Sequence, residues 1–223
     1  MIDICLVTWP NHPKRLEYFS KTVSTLQAGL RDPVNWYCSA ESEESEDYRE
    51  KLESYCETFG IELHWRDAPA NLGANMNASL ELGCSEYQFL VQDDWLLLHP
   101  IDLELGVDFC EEYRPDLLRY SYPDADYMRP TFTSLDGFFR KVDLDGLWPY
   151  GDDPHLRHRS FRNKWGGYLE GGGHGTASAT LMKSLVEGDA FIVAADKCYF
   201  KHFGEVTSVI NDERGYPDRR NTP

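Results

Sequence analysis

Apolar positions along the chain switch repeatedly between two spacings. Residues 2–7 (IDICLV) are apolar at nearly every position, which suits a short strand covered on both faces. After a loop holding Pro10 and Pro13, Leu16, Phe19, Val23, Leu26 and Leu30 recur at the spacing of one helix face. The alternation then repeats. Residues 34–40 read as a strand, and 44–59 as a helix with Tyr48, Leu52, Tyr55 and Phe59 on one side and its acids on the other. A third strand is expected at 61–66, a third helix at 74–83 and a fourth strand at 87–91.

Strands alternating with helices at these lengths predict an α/β fold with a mainly parallel central sheet flanked by helices, whose ligands gather at the carboxyl ends of the strands. The loops at those ends read TWPNHPKR, SAESEES, DAPANLGANMN and QDDW. Beyond residue 100 the alternation weakens. A helix is expected at 102–113, a strand at 116–122 and a bent strand or hairpin at 131–142. From 147 to 176 the composition shifts to Trp, Tyr, His, Arg, Pro and Gly, a loop-rich surface of the kind on which specificity is built. A helix at 177–186, a strand at 190–194 and a strand or strand exit in KCYFKHFG complete the pattern before a polar tail at 212–223.

A length of 223 residues with 41% hydrophobic positions allows one domain with a sizeable core, without staples. Lys and Arg number 22 against 38 Asp and Glu, so the formal charge of -16 repels nucleic acid and anionic lipid in bulk. The cluster Arg157, His158, Arg159, Arg162 and Lys164 is a local exception that could face a phosphate. The start MIDICLV has no basic leader, and runs such as WLLL and AFIVAA are too short to cross a bilayer, so a cytoplasmic protein without a membrane span is expected. Six scattered cysteines without CxxC spacing read as buried thiols rather than a zinc site or disulfide framework.

The segment FLVQDDWLLL raises a chemical question, because two ionised carboxylates amid apolar residues cost several kcal/mol each unless paired or bound to a cation. Together with VTWPNHPKRLEYFSKTVSTL, SAES, NLGANMNASLELG and YFKHFG, in this order, it resembles the GT-A glycosyltransferases, in particular enzymes related to glycosyltransferase family 2. The resemblance spans most of residues 2–204. It implies a Rossmann-like GT-A domain over 1–223, with a nucleotide-sugar half at 1–100 and an acceptor half at 101–223. It also implies Mn2+ or Mg2+ and a UDP- or GDP-sugar donor, with a glycan or small molecule as acceptor.

Residue by residue, the resemblance puts the metal on Asp94 and His202, and Asp93 toward the ribose or the metal's water shell. Gln92 stands where the family's first acid would be and keeps only an amide for the ribose. Thr8, Trp9 and Arg15 fall where base and phosphate contacts belong, Glu41 where an acid meets ribose or base, and Asn71 and Gly73 at the turn beside the nucleotide. The alternative for this turn is an ordinary helix entry, with Asn77 buried against the sheet. An inverting enzyme needs a base beside the acceptor hydroxyl. The family's acidic pair at the start of a late helix is absent from GGGHGTASATLM. Glu170 is the first substitute, followed by His174 and by Asp152 or Asp153. Trp148, Tyr150, Trp165 and Tyr168 suit either sugar stacking or the core. A binding module without turnover and a transferase acting on modified DNA are the alternatives. A sugar-1-phosphate nucleotidyltransferase is disfavoured because TWPNHPKR lacks glycine.

Overall fold

The computed structural model describes residues 1–10, 13–41, 45–66, 72–121, 132–135, 137–146, 149–171 and 174–203. The first half follows the expected alternation: β1 (Ile2–Thr8), α1 (Pro13–Gly29), β2 (Val34–Glu41), α2 (Glu46–Phe59), β3 (Glu62–Arg66), α3 (Leu72–Glu81) and β4 (Tyr87–Gln92). The second half holds β5 (Trp95–Leu97), α4 (Leu103–Tyr113), β6 (Leu117–Arg119), β7 (Phe132–Ser134), β8 (Phe139–Val142), β9 (His155–His158), α5 (Phe161–Trp165), α6 (His174–Glu187), β10 (Ile192–Ala195) and β11 (Phe200–His202). Among the described residues the main sheet runs β3-β2-β1-β4-β9-β6-β10-β8-β7, and β5 pairs with β11 in a second, small sheet. In the main sheet all strands run one way except β8 and β9, which are antiparallel to their neighbours.

Burial on both faces explains why the strands read as unbroken apolar runs. Every residue of β1 is buried. Its Ile2, Ile4 and Leu6 enter one core cluster, with α1, α2 and α4, while Cys5 and Val7 enter the other, with α3, α5 and α6. The same period of two continues on β4, where Phe89 and Val91 face the first cluster and Leu90 the second. Asp3, fully buried in β1, accepts hydrogen bonds from Asn35 Nδ2 (2.9 Å), Ser85 N (2.8 Å) and Ser85 Oγ (2.7 Å), which offsets its desolvation.

Three elements depart from the sequence expectation. The stretch expected to be loop-rich surface contains the short helix α5 and the strand β9, which lies in the middle of the sheet between β4 and β6. HLRH has no apolar run because polar side chains are buried there: His155 bonds Asp153 O through Nδ1 (2.7 Å), and the Arg157 guanidinium stacks on Phe161 (4.6 Å). The strand at β5 also went unforeseen, since three residues are too few for a periodic signal.

The basic cluster is spent internally. Besides Arg157, His158 Nδ1 contacts Ser160 Oγ (2.7 Å), Arg159 donates to Gly83 O (2.6 Å), Arg162 pairs with Glu81, and Lys164 pairs with Asp116 (2.6 Å). Tyr150, Tyr168 and Trp165 belong to the second core cluster. Trp148 lies outside the described residues, as does the polar tail. Cys5, Cys38, Cys56 and Cys110 are buried free thiols, but Cys84 is exposed and Cys198 half-buried, a correction to the expectation that all six are buried. No helix among the described residues is long and apolar enough to cross a membrane.

Because Leu156 is fully buried at the centre of the sheet, Leu156→Ala should cost about 2–5 kcal/mol. Leu169→Ala, at a largely exposed position, should stay within about 0.5 kcal/mol of wild type. Urea denaturation midpoints measure both.

Candidate active site

Position in the sheet dictates the site. Strand β4 is central, and its carboxyl end runs straight into Asp93 and Asp94, which are 3% and 5% exposed. Two like charges on adjacent buried residues demand compensation, and the first helix supplies it. Arg15, in the first turn of α1, places Nη1 at 2.6 Å from Asp93 Oδ1 and 3.1 Å from Asp94 Oδ2. The Asp93 carboxylate also accepts from Thr8 Oγ (2.5 Å), at the end of β1. Its backbone is pinned on both sides, with N–H donating to Val7 O (3.1 Å) and O accepting from Thr22 Oγ (2.8 Å).

The remaining partner comes from far along the chain. The β5–β11 register sets His202 opposite Trp95, so that the two rings pack at 4.7 Å and His202 Nε2 lies 3.1 Å from Asp94 Oδ2. Phe203 N–H donates to Asp94 O (3.1 Å), which closes the end of the small sheet onto the motif. Strand alternation leaves Lys201 exposed and Phe200 buried, as expected for a strand.

The two carboxylates differ electrostatically. Burial pushes Asp93 up to about 6, against the opposing pull of Arg15. Burial acts on Asp94 in the same direction, but the hydrogen bond from His202 and the charges of His202 and Arg15 outweigh it and hold Asp94 below the usual carboxylate range. The nearby Asp93 charge holds the Arg15 guanidinium still more firmly protonated. One guanidinium faces two carboxylates, so a negative charge is left over unless His202 is protonated or a cation arrives. Asp94 Oδ1 is buried with no hydrogen-bond partner among the described residues, as is Arg15 Nε.

Other expected residues surround this cluster at varying distance. Glu41, at the end of β2, is 3% exposed with Arg66 Nη1 at 3.9 Å. Trp9 follows β1 and is half-buried. Gln92 ends β4 and donates through Nε2 to Asp152 O (3.4 Å). Gly73 is buried in the first turn of α3, whereas Asn71 lies outside the described residues. Asn75, on the same helix, ties the walls together by accepting from Ser39 Oγ (2.5 Å) and donating to Thr8 O (3.0 Å).

On the acceptor side the candidates separate. Glu170 is exposed and accepts from Asn77 Nδ2 (2.9 Å). Asn77 itself is buried and holds Tyr168 through both N–H (2.8 Å) and O (2.9 Å). His174 is the first residue of α6. Asp153 is turned inward onto the fully buried Arg119, which also donates to Pro149 O (2.9 Å). Sequence reasoning overlooked Thr22, which carries no charge and sits in mid-helix; the helical spacing that places it under Asp93 was the only available signal.

The architecture matches known enzymes. The chain is similar to S. aureus TarS 1–349 in complex with UDP, with a TM-score of 0.63 and 14% identity over 89% of this chain and 59% of that one. It is also similar to TarS 1–349 without a named ligand, with a TM-score of 0.62 and 15% identity over 97% of this chain and 66% of that one. A further match is the mannosyltransferase PcManGT from Pyrobaculum calidifontis in complex with GDP-Man and Mn2+, with a TM-score of 0.60 and 12% identity over 92% of this chain and 59% of that one. The fold is GT-A. This chain spans about three fifths of the length of the UDP-bound TarS structure. No protein-family profile matches the sequence, and no curated protein does.

Removing one partner of a buried ionic cluster strands the others. Arg15→Ala should therefore cost about 3–5 kcal/mol, and Arg15→Lys should recover part of that loss. Equilibrium denaturation at pH 8 measures it. The loss should shrink at pH 5, because protonation of Asp93 removes the charge left unpaired.

Proposed function

We propose that the protein is a glycosyltransferase that moves a sugar from a nucleoside-diphosphate sugar to a hydroxyl acceptor, with a divalent cation beside Asp94 and His202. The observation that carries this reading is the meeting of two buried carboxylates, a guanidinium and an imidazole at the carboxyl end of β4, the region where open α/β sheets bind ligands. Three of these groups come from residues 1–100 and the fourth, His202, from the last described strand; we assign the nucleotide-sugar half to 1–100, with His202 added, and the acceptor side to the rest of 101–223.

The donor set suits Mn2+ or Mg2+ held jointly by protein and substrate. Among the described residues no group of three or more acidic, histidine or cysteine side chains forms a complete metal cage. Asp94 nevertheless offers a buried Oδ1 that has no partner among the described residues, while its Oδ2 meets the His202 imidazole at 3.1 Å. Cations that bind nucleotides commonly take one or two carboxylates and fill the rest of their sphere with phosphate and water oxygens. Bound there, the ion would offset charge on the departing diphosphate.

The chain's own groups do the remaining work. Arg15 is fixed by Asp93 and keeps Nε–H uncommitted, which suits a phosphate oxygen. Thr8 orients Asp93. Trp9, Glu41, Asn71, Gly73 and Gln92 are assigned to the base and ribose, with Gln92 contributing an amide where an additional charge would crowd the two aspartates. Inversion at the anomeric carbon follows if the acceptor oxygen, deprotonated by the base, attacks from the face opposite the diphosphate. A binding module without turnover is the second reading, favoured by one observation: Arg15 already bridges both aspartates.

The test separates the two. With Mn2+ present, UDP-GlcNAc or GDP-mannose should raise the melting temperature, by about 2.7 kcal/mol of added stability at 100-fold excess over Kd, and free nucleotide should be released. Asp94→Ala should abolish the manganese-dependent part of both. Saturable binding with no release across donors and acceptors supports the module, and absence of binding refutes the donor site.

A further inference from the structure

Adjacent acids in YGDDPH meet opposite fates. Asp153 is neutralised by Arg119. Asp152, in the turn leading into β9, has no ion pair among the described residues. Its Oδ2 accepts from Ser178 Oγ of α6, and its Oδ1 is buried without a hydrogen-bond partner among the described residues. The residue as a whole is only half-buried, so it borders solvent while that oxygen is shielded. Its backbone carbonyl is the acceptor for Gln92 Nε2, one residue before Asp93 and two before Asp94. Contacts from β4 and α6 thus fix this carboxylate next to the strand end that carries Asp93 and Asp94.

We propose that Asp152 is the general base of this enzyme, receiving the acceptor's proton on Oδ1. The inference rests on the glycosyltransferase reading above. As the acceptor oxygen bonds to the anomeric carbon, its proton passes to Asp152. The bond from that carbon to the diphosphate oxygen breaks, and the electron pair leaves with the diphosphate. The acceptor hydroxyl supplies the hydrogen bond that Oδ1 lacks.

The surroundings suit the task. Burial pushes Asp152 up to about 7, Ser178 opposes that shift, and the Asp153 charge adds to it. Tyr150 and Tyr168 also face it, their hydroxyls bonded to each other at 2.6 Å, and burial keeps both protonated. The cations of the region, Arg119 and Arg157, are engaged with Asp153 and Phe161. A base works best with its pKa near the operating pH. Glu170, by contrast, is exposed and bound to Asn77. The acid missing from the start of α6 is replaced by one that reaches α6 from a neighbouring turn.

The experiment measures nucleotide release from UDP-GlcNAc and GDP-mannose with Mn2+, water serving as acceptor, from pH 5 to 9. Donor binding is followed by thermal shift. Wild type should gain rate with rising pH through an inflection near 7. Asp152→Asn should lose about 100-fold or more in rate while donor binding stays within about twofold. Asp152 has its pKa raised on folding, so its contribution to stability falls as pH rises from about 4 to 7. Asp152→Asn should therefore melt no lower than wild type at pH 8, which guards against misfolding as the cause. Ser178→Ala removes the bond that favours the ionised form, and should move the inflection to higher pH. Rates for Asp152→Asn within about threefold of wild type, an unmoved inflection in Ser178→Ala, or donor binding lost in step with rate would overturn the proposal. If wild type binds neither donor, the glycosyltransferase reading fails as well; intact binding with an unaffected Asp152→Asn sinks the base alone.

Discussion

Burial of two neighbouring carboxylates at the end of a central strand is the constraint around which this structure is arranged. Neither Asp93 nor Asp94 can be left alone in a low-dielectric site. Arg15 answers from the helix that follows β1, Thr8 from the end of β1, Thr22 from mid-helix, and His202 from a strand more than a hundred residues later. The compensation is incomplete among the described residues, since a single guanidinium spans both acids and one oxygen of Asp94 has no partner there. An incompletely compensated buried charge is a poor stability device. It leaves one carboxylate oxygen open to a further partner, which is what the proposed cation would supply.

The fold delivers these groups through short pairings. Three residue pairs between β5 and β11 carry His202 to Asp94, and the ring contact with Trp95 fixes the imidazole plane. Strand β9, antiparallel between two parallel neighbours, has the turn holding Asp152 and Asp153 at the same end of the sheet as Gln92. One strand of reversed direction thus brings Asp152 to Gln92, and on its polar face His155 bonds through Nδ1 and Arg157 stacks on Phe161, while His155 Nε2 and Arg157 Nε have no hydrogen-bond partner among the described residues. Burial drives His155 down to about 3, so it stays neutral inside the sheet at ordinary pH.

Sequence alone conveyed the first half of the fold because β1 and β4 are buried along nearly their whole length, and the helices between the strands carry clear apolar stripes. Asp93 and Asp94 were legible because they break an apolar run, and a broken rule is visible; Arg15 and His202 stood out only through the resemblance of the surrounding motifs. Strand β9 was not, since its buried residues include His155 and Arg157, which no hydrophobic pattern reports. Asp152 and Asp153 were indistinguishable as letters. Only Arg119, a fully buried arginine contributed by β6, tells the paired acid from the unpaired one, and such a partner across 34 residues leaves no local trace. Glu170 attracted attention by its place before the glycines, yet its contact with Asn77 gives it a local role in the structure.

Anomalous diffraction at the manganese edge, from crystals grown with Mn2+ and UDP, tests the central claim most directly. The account predicts a single strong peak bonded to Asp94 and His202, with diphosphate oxygens completing the coordination and Arg15 drawn onto a phosphate. A map with UDP bound but no peak there, and with Arg15 still bridging Asp93 and Asp94, would contradict it.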